Sequence, residues 1–139
     1  MESQENPCWQ YLELNQKAYP VLEVAIVGPS QRRPGTTRLV IPVDTGYDGF
    51  ILLSEEEFQS LGFNLAELPR KYWPEAETVT GEVFKLRRAS SIVQITEVEK
   101  TLEGHVETFQ GNKENLLGLE FIQDLNLLLQ GPKKQTCLF

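Results

Sequence analysis

The feature that most constrains this chain is an apolar run, Leu39-Val40-Ile41-Pro42-Val43, that ends directly on Asp44-Thr45-Gly46. Just before it, Tyr19-Pro20-Val21-Leu22-Glu23-Val24-Ala25-Ile26-Val27 alternates and is rich in β-branched residues. Gly28-Pro29-Ser30 through Pro34-Gly35 has the turn residues to join the two. The pair predicts a β-hairpin that delivers the chain to Asp44, a carboxylate at a strand end inside otherwise apolar surroundings.

The rest of the chain repeats this short-strand grammar. Thr78-Val79-Thr80-Gly81-Glu82-Val83-Phe84-Lys85-Leu86 alternates around a glycine and predicts a second hairpin, after a loop bracketed by Pro69 and Pro74. Ile92-Val93-Gln94-Ile95 and Val106-Glu107-Thr108-Phe109 predict further strands, separated by a charged turn from Lys100 to Gly104, and Leu127-Leu128-Leu129 a last one. Only two segments favour helix. Ser54 and Glu57 have capping-box spacing, Leu53 and Phe58 can staple, and Gly62 can end a helix from Glu55 to Leu61. Leu117, Phe121 and Ile122 have helical spacing in the second. The expectation is an all-β fold with one or two short helices.

At 139 residues the chain suits one domain around one core, placed from about Tyr19 to Gly131 with a polar N-terminal segment and a C-terminal tail. No apolar run approaches the roughly 18 residues of a membrane span, and the polar, acidic start lacks the pattern of a secretory signal, so the expectation is a cytoplasmic protein without membrane contact. A net charge of −7 opposes binding to phosphate backbones, and the pairs Arg32-Arg33, Arg87-Arg88 and Lys133-Lys134 are scattered and expected in solvated turns or strand edges. Two cysteines do not make a disulfide framework, so Cys8 and Cys137 are expected as free thiols; Cys137, third from the end, does not match a prenylation motif.

His105 is the single histidine and has no cysteine near it in sequence, so neither a metal cluster nor a Ser/His or Cys/His nucleophile system is easily assembled. A surface turn is its expected place, and no metal or cofactor is expected. In isolation the Asp44 triplet reads first as a strand-end aspartate capping a turn. Asp48 offers a second acid within one chain, but its position favours binding turn amides.

Three motifs in order change the weight of Asp44. Ile41-Pro42-Val43-Asp44-Thr45-Gly46, then Val79-Thr80-Gly81-Glu82-Val83, then Asn115-Leu116-Leu117-Gly118-Leu119-Glu120-Phe121-Ile122 resemble the catalytic strand and turn, the flap and the closing helix of retropepsin-like aspartic peptidases. The likeness spans roughly Val21 to Gln130. Asp44-Thr45-Gly46-Tyr47-Asp48-Gly49-Phe50 is most similar to small archaeal and bacterial members with an aromatic residue after the glycine. The resemblance implies an acid-protease barrel with one lobe per chain, a homodimer, and catalysis by Asp44 with Thr45 and Gly46 holding it. It also implies that Val79, Thr80 and Gly81 cover an extended peptide substrate, and that the Cys8 to Leu12 segment can pair across the dimer.

The chemistry behind that implication is a shared proton. One carboxylate of a pair draws a proton from water while its protonated neighbour polarises the scissile carbonyl, so two aspartates are needed in register. Tyr47 replaces a usual small residue, Leu119 and Glu120 replace a basic-polar pair, and the flap has one glycine. A fold that holds a peptide without cutting it is the rival expectation.

Overall fold

The computed structural model describes residues 6–29 and 37–139. Met1 to Glu5 and residues 30–36, with Arg32, Arg33, Pro34 and Gly35, therefore lie outside the described residues. In chain order the elements are β1 (Cys8–Gln10), β2 (Leu12–Leu14), β3 (Lys17–Tyr19), β4 (Val21–Val27), β5 (Arg38–Pro42), β6 (Ile51–Leu52) and α1 (Glu55–Ser60). There follow β7 (Glu75–Glu77), β8 (Val83–Lys85), β9 (Arg87–Ile95), β10 (Lys100–Thr108), β11 (Leu116–Leu117), α2 (Leu119–Ile122), β12 (Leu127–Gln130) and β13 (Gln135–Leu138). The class is all-β, as the alternation requires.

Six strands form the main sheet in the order β11-β6-β10-β9-β4-β5. Among the described residues no continuous ladder closes it into a barrel. Its two ends meet at one parallel bridge, Val43 with Leu117, immediately before Asp44. The expected hairpin is the β4–β5 pair, with Val21 opposite Pro42 and Ala25 opposite Arg38. β4 is buried along most of its length because it lies between β5 and β9 and faces the core, which explains its unbroken apolar run. Phe58, Phe63 and Phe121 are fully buried with Leu22, Ile26, Ile41 and Ile51, each worth about 1.5–3 kcal/mol against exposure.

Helix α1 starts where expected. The Ser54 hydroxyl accepts from the Glu57 amide at 3.2 Å, and Gly62 closes the helix with φ of 86°. The other half of the capping box is absent: the Ser54 amide donates to Asn115 Oδ1 at 2.7 Å, a group on the loop before β11. A flap-like hairpin also forms, but its first strand is β7, ahead of the expected one: Thr78, Val79 and Thr80 lie with Gly81, whose φ is 90°, in the turn between β7 and β8.

Several expectations are corrected. Lys100 to Gly104 is not a turn but the first half of β10; the chain reverses at Thr96–Val98 and Glu99, whose φ is 51°. His105 accordingly sits in β10 opposite Ser90, not in a surface turn. Arg87 and Arg88 lie in β9, a central strand, and are ion-paired to Glu67 and Glu107 rather than left in solvent. The residues after Gly131 are not a tail: β13 is the middle strand of a second sheet, β1-β13-β12.

That terminal sheet also overturns the free-thiol reading. Cys8 and Cys137 are directly opposed in the β1–β13 ladder and joined as a disulfide, with Cα atoms 4.1 Å apart. The segment expected to pair across a dimer pairs within its own chain. Before it reaches β4 the chain also makes a hairpin unforeseen from sequence, β2–β3, turning through Asn15 and Gln16 with φ of 50° and 66°. Among the described residues no helix is long and apolar enough to cross a membrane.

Candidate active site

Asp44 stands at the seam where the main sheet fails to close. Its amide donates to Leu117 O at 2.9 Å, in the terminal strand β11, and the amide of Val43 donates at 2.9 Å to Pro20 O, just before β4, so two separate segments hold the backbone here. Its side chain is partly exposed, and Oδ1 accepts from the Gly46 amide at 2.8 Å. The turn is tightened by the Tyr47 amide donating to Asp44 O at 3.2 Å. Thr45 and Gly46 are exposed beside it.

The carboxylate lines a groove of about 680 Å³ whose walls include Leu12 and Tyr19 from the β2–β3 hairpin, Val40, Val43 and Leu116. Lys113 and Glu114 stand at its rim. The groove is open and mixed in character, with apolar walls and the charged side chains of Asp44, Lys113 and Glu114. Asp48 is exposed and does not line it. The expected site residues are thus only partly brought together: Asp44, Thr45 and Gly46 share one turn, whereas Val79, Thr80 and Gly81 form an exposed tip that does not line this groove. That tip is ordered locally by the Gly81 amide donating to Thr78 O at 3.0 Å and the Thr78 and Thr80 hydroxyls at 2.9 Å.

Behind the turn lies a polar chain not anticipated from sequence. The Tyr47 hydroxyl donates to Glu107 Oε1 at 2.5 Å, and Arg88 Nε donates to Glu107 Oε2 at 3.0 Å. Glu107 is only 2% exposed. Burial, then the Glu107 carboxylate, raise the Tyr47 pKa far above its ordinary 10.0, so the phenol stays a donor. Two glycines make room for it. A Cβ on Gly118 would lie 2.1 Å from Gly49 O and 2.6 Å from Tyr47 Cδ2, and one on Gly49 would lie 2.4 Å from the Tyr47 hydroxyl. The α2 amides complete the clamp, Leu119 N donating to Tyr47 O at 2.8 Å and Glu120 N to Gly49 O at 3.1 Å.

His105 neighbours this chain on the same face of β10. Burial first, then the Arg88 charge, lower its pKa from the ordinary 6.5, against opposing pulls from Glu107 and Glu120. The sign follows from linkage. Above pH 6.5 both folded and unfolded chains hold a neutral ring, and the contribution to stability is complete. Below it the unfolded chain gains a proton that the folded chain resists, and stability is lost as pH falls. Urea midpoints measured at about pH 7.5 and about pH 5 should therefore fall further for the wild type than for His105→Gln.

With the geometry in place, comparison with known proteins defines the fold. Over 81% of its length the chain matches the EIAV protease complexed with the inhibitor HBY-793, covering 93% of that chain at a TM-score of 0.55 and 17% identity. A retropepsin-like aspartic protease from Rickettsia conorii matches over 99% of this chain and 96% of its own, with a TM-score of 0.55 and 15% identity. The retroviral protease-like domain of Ddi1 from Leishmania major gives 0.51 at 11% identity, over 82% of each chain. This is a retropepsin-like fold. No family model matches the sequence. The chain belongs to the family of a protein from Archaeoglobus fulgidus, described as uncharacterized, to which it is 30% identical over 113 residues, 79% of this chain and 85% of that protein.

Proposed function

We propose that this chain is one half of a homodimeric aspartic endopeptidase, in which Asp44 of each protomer forms the catalytic dyad on a two-fold axis. The observation that supports it most directly is the placement of Asp44. Its carboxylate is partly exposed in a groove, oriented by the Gly46 amide at 2.8 Å and carried by a turn that two separate segments hold. A single such turn per chain supplies one carboxylate, so two chains make the pair. In the dimer one carboxylate activates water, its protonated twin polarises the scissile carbonyl, and the flap tip at Val79, Thr80 and Gly81 folds over the bound peptide. Polypeptide is the substrate, taken up in extended form, without metal or cofactor.

One observation favours a second reading, a retropepsin-fold module that holds peptides or dimerises without cutting. The exposed tip at Val79, Thr80 and Gly81 does not line the Asp44 groove, so in the single chain the carboxylate is not covered by the flap that cutting requires. The two readings part on a direct test. Sedimentation gives the oligomeric state, and a mixed peptide library is then incubated from about pH 3 to about pH 7 with and without a transition-state-mimicking aspartic-peptidase inhibitor. Inhibitor-sensitive cuts by a dimer uphold the enzyme; a verified dimer that binds peptides and leaves them whole upholds the module.

A further inference from the structure

We infer that Tyr47 is a positioning residue for Asp44, its phenol tying the turn that carries the carboxylate to the central strand β10 through Glu107 and Arg88. The inference rests on the peptidase reading above and assigns a residue to that same site.

Tyr47, three residues after Asp44, is fixed at three points. Its amide holds Asp44 O, its carbonyl accepts from the Leu119 amide, and its hydroxyl is bonded to Glu107. The ring between these points has only two side-chain torsions, so anchoring the hydroxyl leaves the backbone of the turn little freedom. Glu107 is itself immobile: its carbonyl accepts from the Leu53 amide at 2.8 Å, and β10 pairs with β6 and β9 on either side.

The chain accepts a cost for this arrangement. A carboxylate taken out of water loses several kcal/mol of hydration, recovered only through good hydrogen bonds, and an apolar residue would fill the same strand position without that loss. Gly49 and Gly118 are further concessions, since either Cβ would collide with Tyr47 or its surroundings. Packing alone does not call for a buried glutamate held between a half-buried tyrosine and arginine in this place. A dyad does call for a rigid turn, because two carboxylates must share a proton and a water, and misplacement by about 1 Å costs on the order of 10²-fold in rate.

The test uses Tyr47→Phe, which keeps the ring and removes the bond, with Glu107→Gln, which keeps an oxygen to accept from the phenol, and Glu107→Ala, which does not. Tyr47→Phe should lower kcat by about 10- to 100-fold with KM within about twofold, and Glu107→Gln should retain more turnover than Glu107→Ala. Amide hydrogen exchange reads the same device without catalysis. In Tyr47→Phe the Gly46 amide should exchange about tenfold faster while amides of β9 and β10 keep their protection.

Wild-type turnover in Tyr47→Phe together with unchanged Gly46 exchange overturns the inference, as does acceleration spread evenly over the whole chain. If the wild type cuts no peptide, the peptidase reading fails by itself. Exchange at Gly46 then decides: faster exchange confined to the turn upholds the positioning role, and unchanged exchange removes it.

Discussion

On the proposed peptidase reading, Asp44→Asn is expected to abolish peptide cleavage, with turnover falling on the order of 10⁴-fold or more, while the chain stays folded. The loss follows because an amide can neither take the proton of the attacking water nor share a proton with the opposite carboxylate. The fold survives for a local reason. Asparagine has the same shape, and its Oδ1 can accept from the Gly46 amide as the aspartate does at 2.8 Å. The side chain is partly exposed and forms no ion pair among the described residues, so stability should change by no more than about 0.5 kcal/mol. Paired measurements of peptide cleavage, circular dichroism and sedimentation on both proteins check this. A variant that cuts as fast as the wild type would remove Asp44 from the mechanism, and a variant that unfolds would show that the carboxylate itself holds the turn.

How much of this was legible depended on whether the determining partners lay close in sequence. The β4–β5 and β7–β8 hairpins could be read because alternation and turn residues are local signals. The Asp44 turn could be read because an apolar strand runs straight into it. Strands β9 and β10 run longer than their apolar alternation indicates. Arg87, Arg88 and Ser90 in one, and Lys100, Glu103, Gly104 and His105 in the other, look like loop residues. Several of them occupy the outer face of the sheet or are paired across it, where strand geometry tolerates polar groups. The β2–β3 hairpin was missed because Asn15-Gln16 lacks the glycine that announces such turns, and with it went one wall of the groove.

The Tyr47–Glu107–Arg88 chain was illegible for a stronger reason. Its members are 60 and 19 residues apart, and a glutamate in an alternating strand reads as an outward residue until something is known to cover it. Burial of Glu107 is a property of the assembled turn, not of the strand. Sequence periodicity assigns faces; it does not say which face another segment will cover.

Breaking the Cys8–Cys137 bond, by reductant or by Cys8→Ser with Cys137→Ser, is expected to lower stability by up to about 5 kcal/mol, the loop-closure entropy of a cross-link spanning 129 residues. Two cysteines were too few to suggest a framework, yet one bridge between chain ends closes nearly the longest loop available and restricts the unfolded chain most. The measured loss should approach that limit only in part, because β1 is also held by its ladder to β13, by the Leu138 amide on Pro7 O at 3.0 Å and by the Tyr11 amide on Lys134 O at 2.9 Å. Those bonds keep the native state nearly unchanged on reduction, so the effect should act through the unfolded state: a lower urea midpoint together with a steeper denaturant slope, as the released chain exposes more surface. Equal midpoints with and without reductant would show that the bridge contributes nothing. A fall in midpoint accompanied by weaker peptide cleavage would place its effect in the folded state as well, through the Tyr11 anchor to the hairpin that carries Leu12 and Tyr19 beside Asp44.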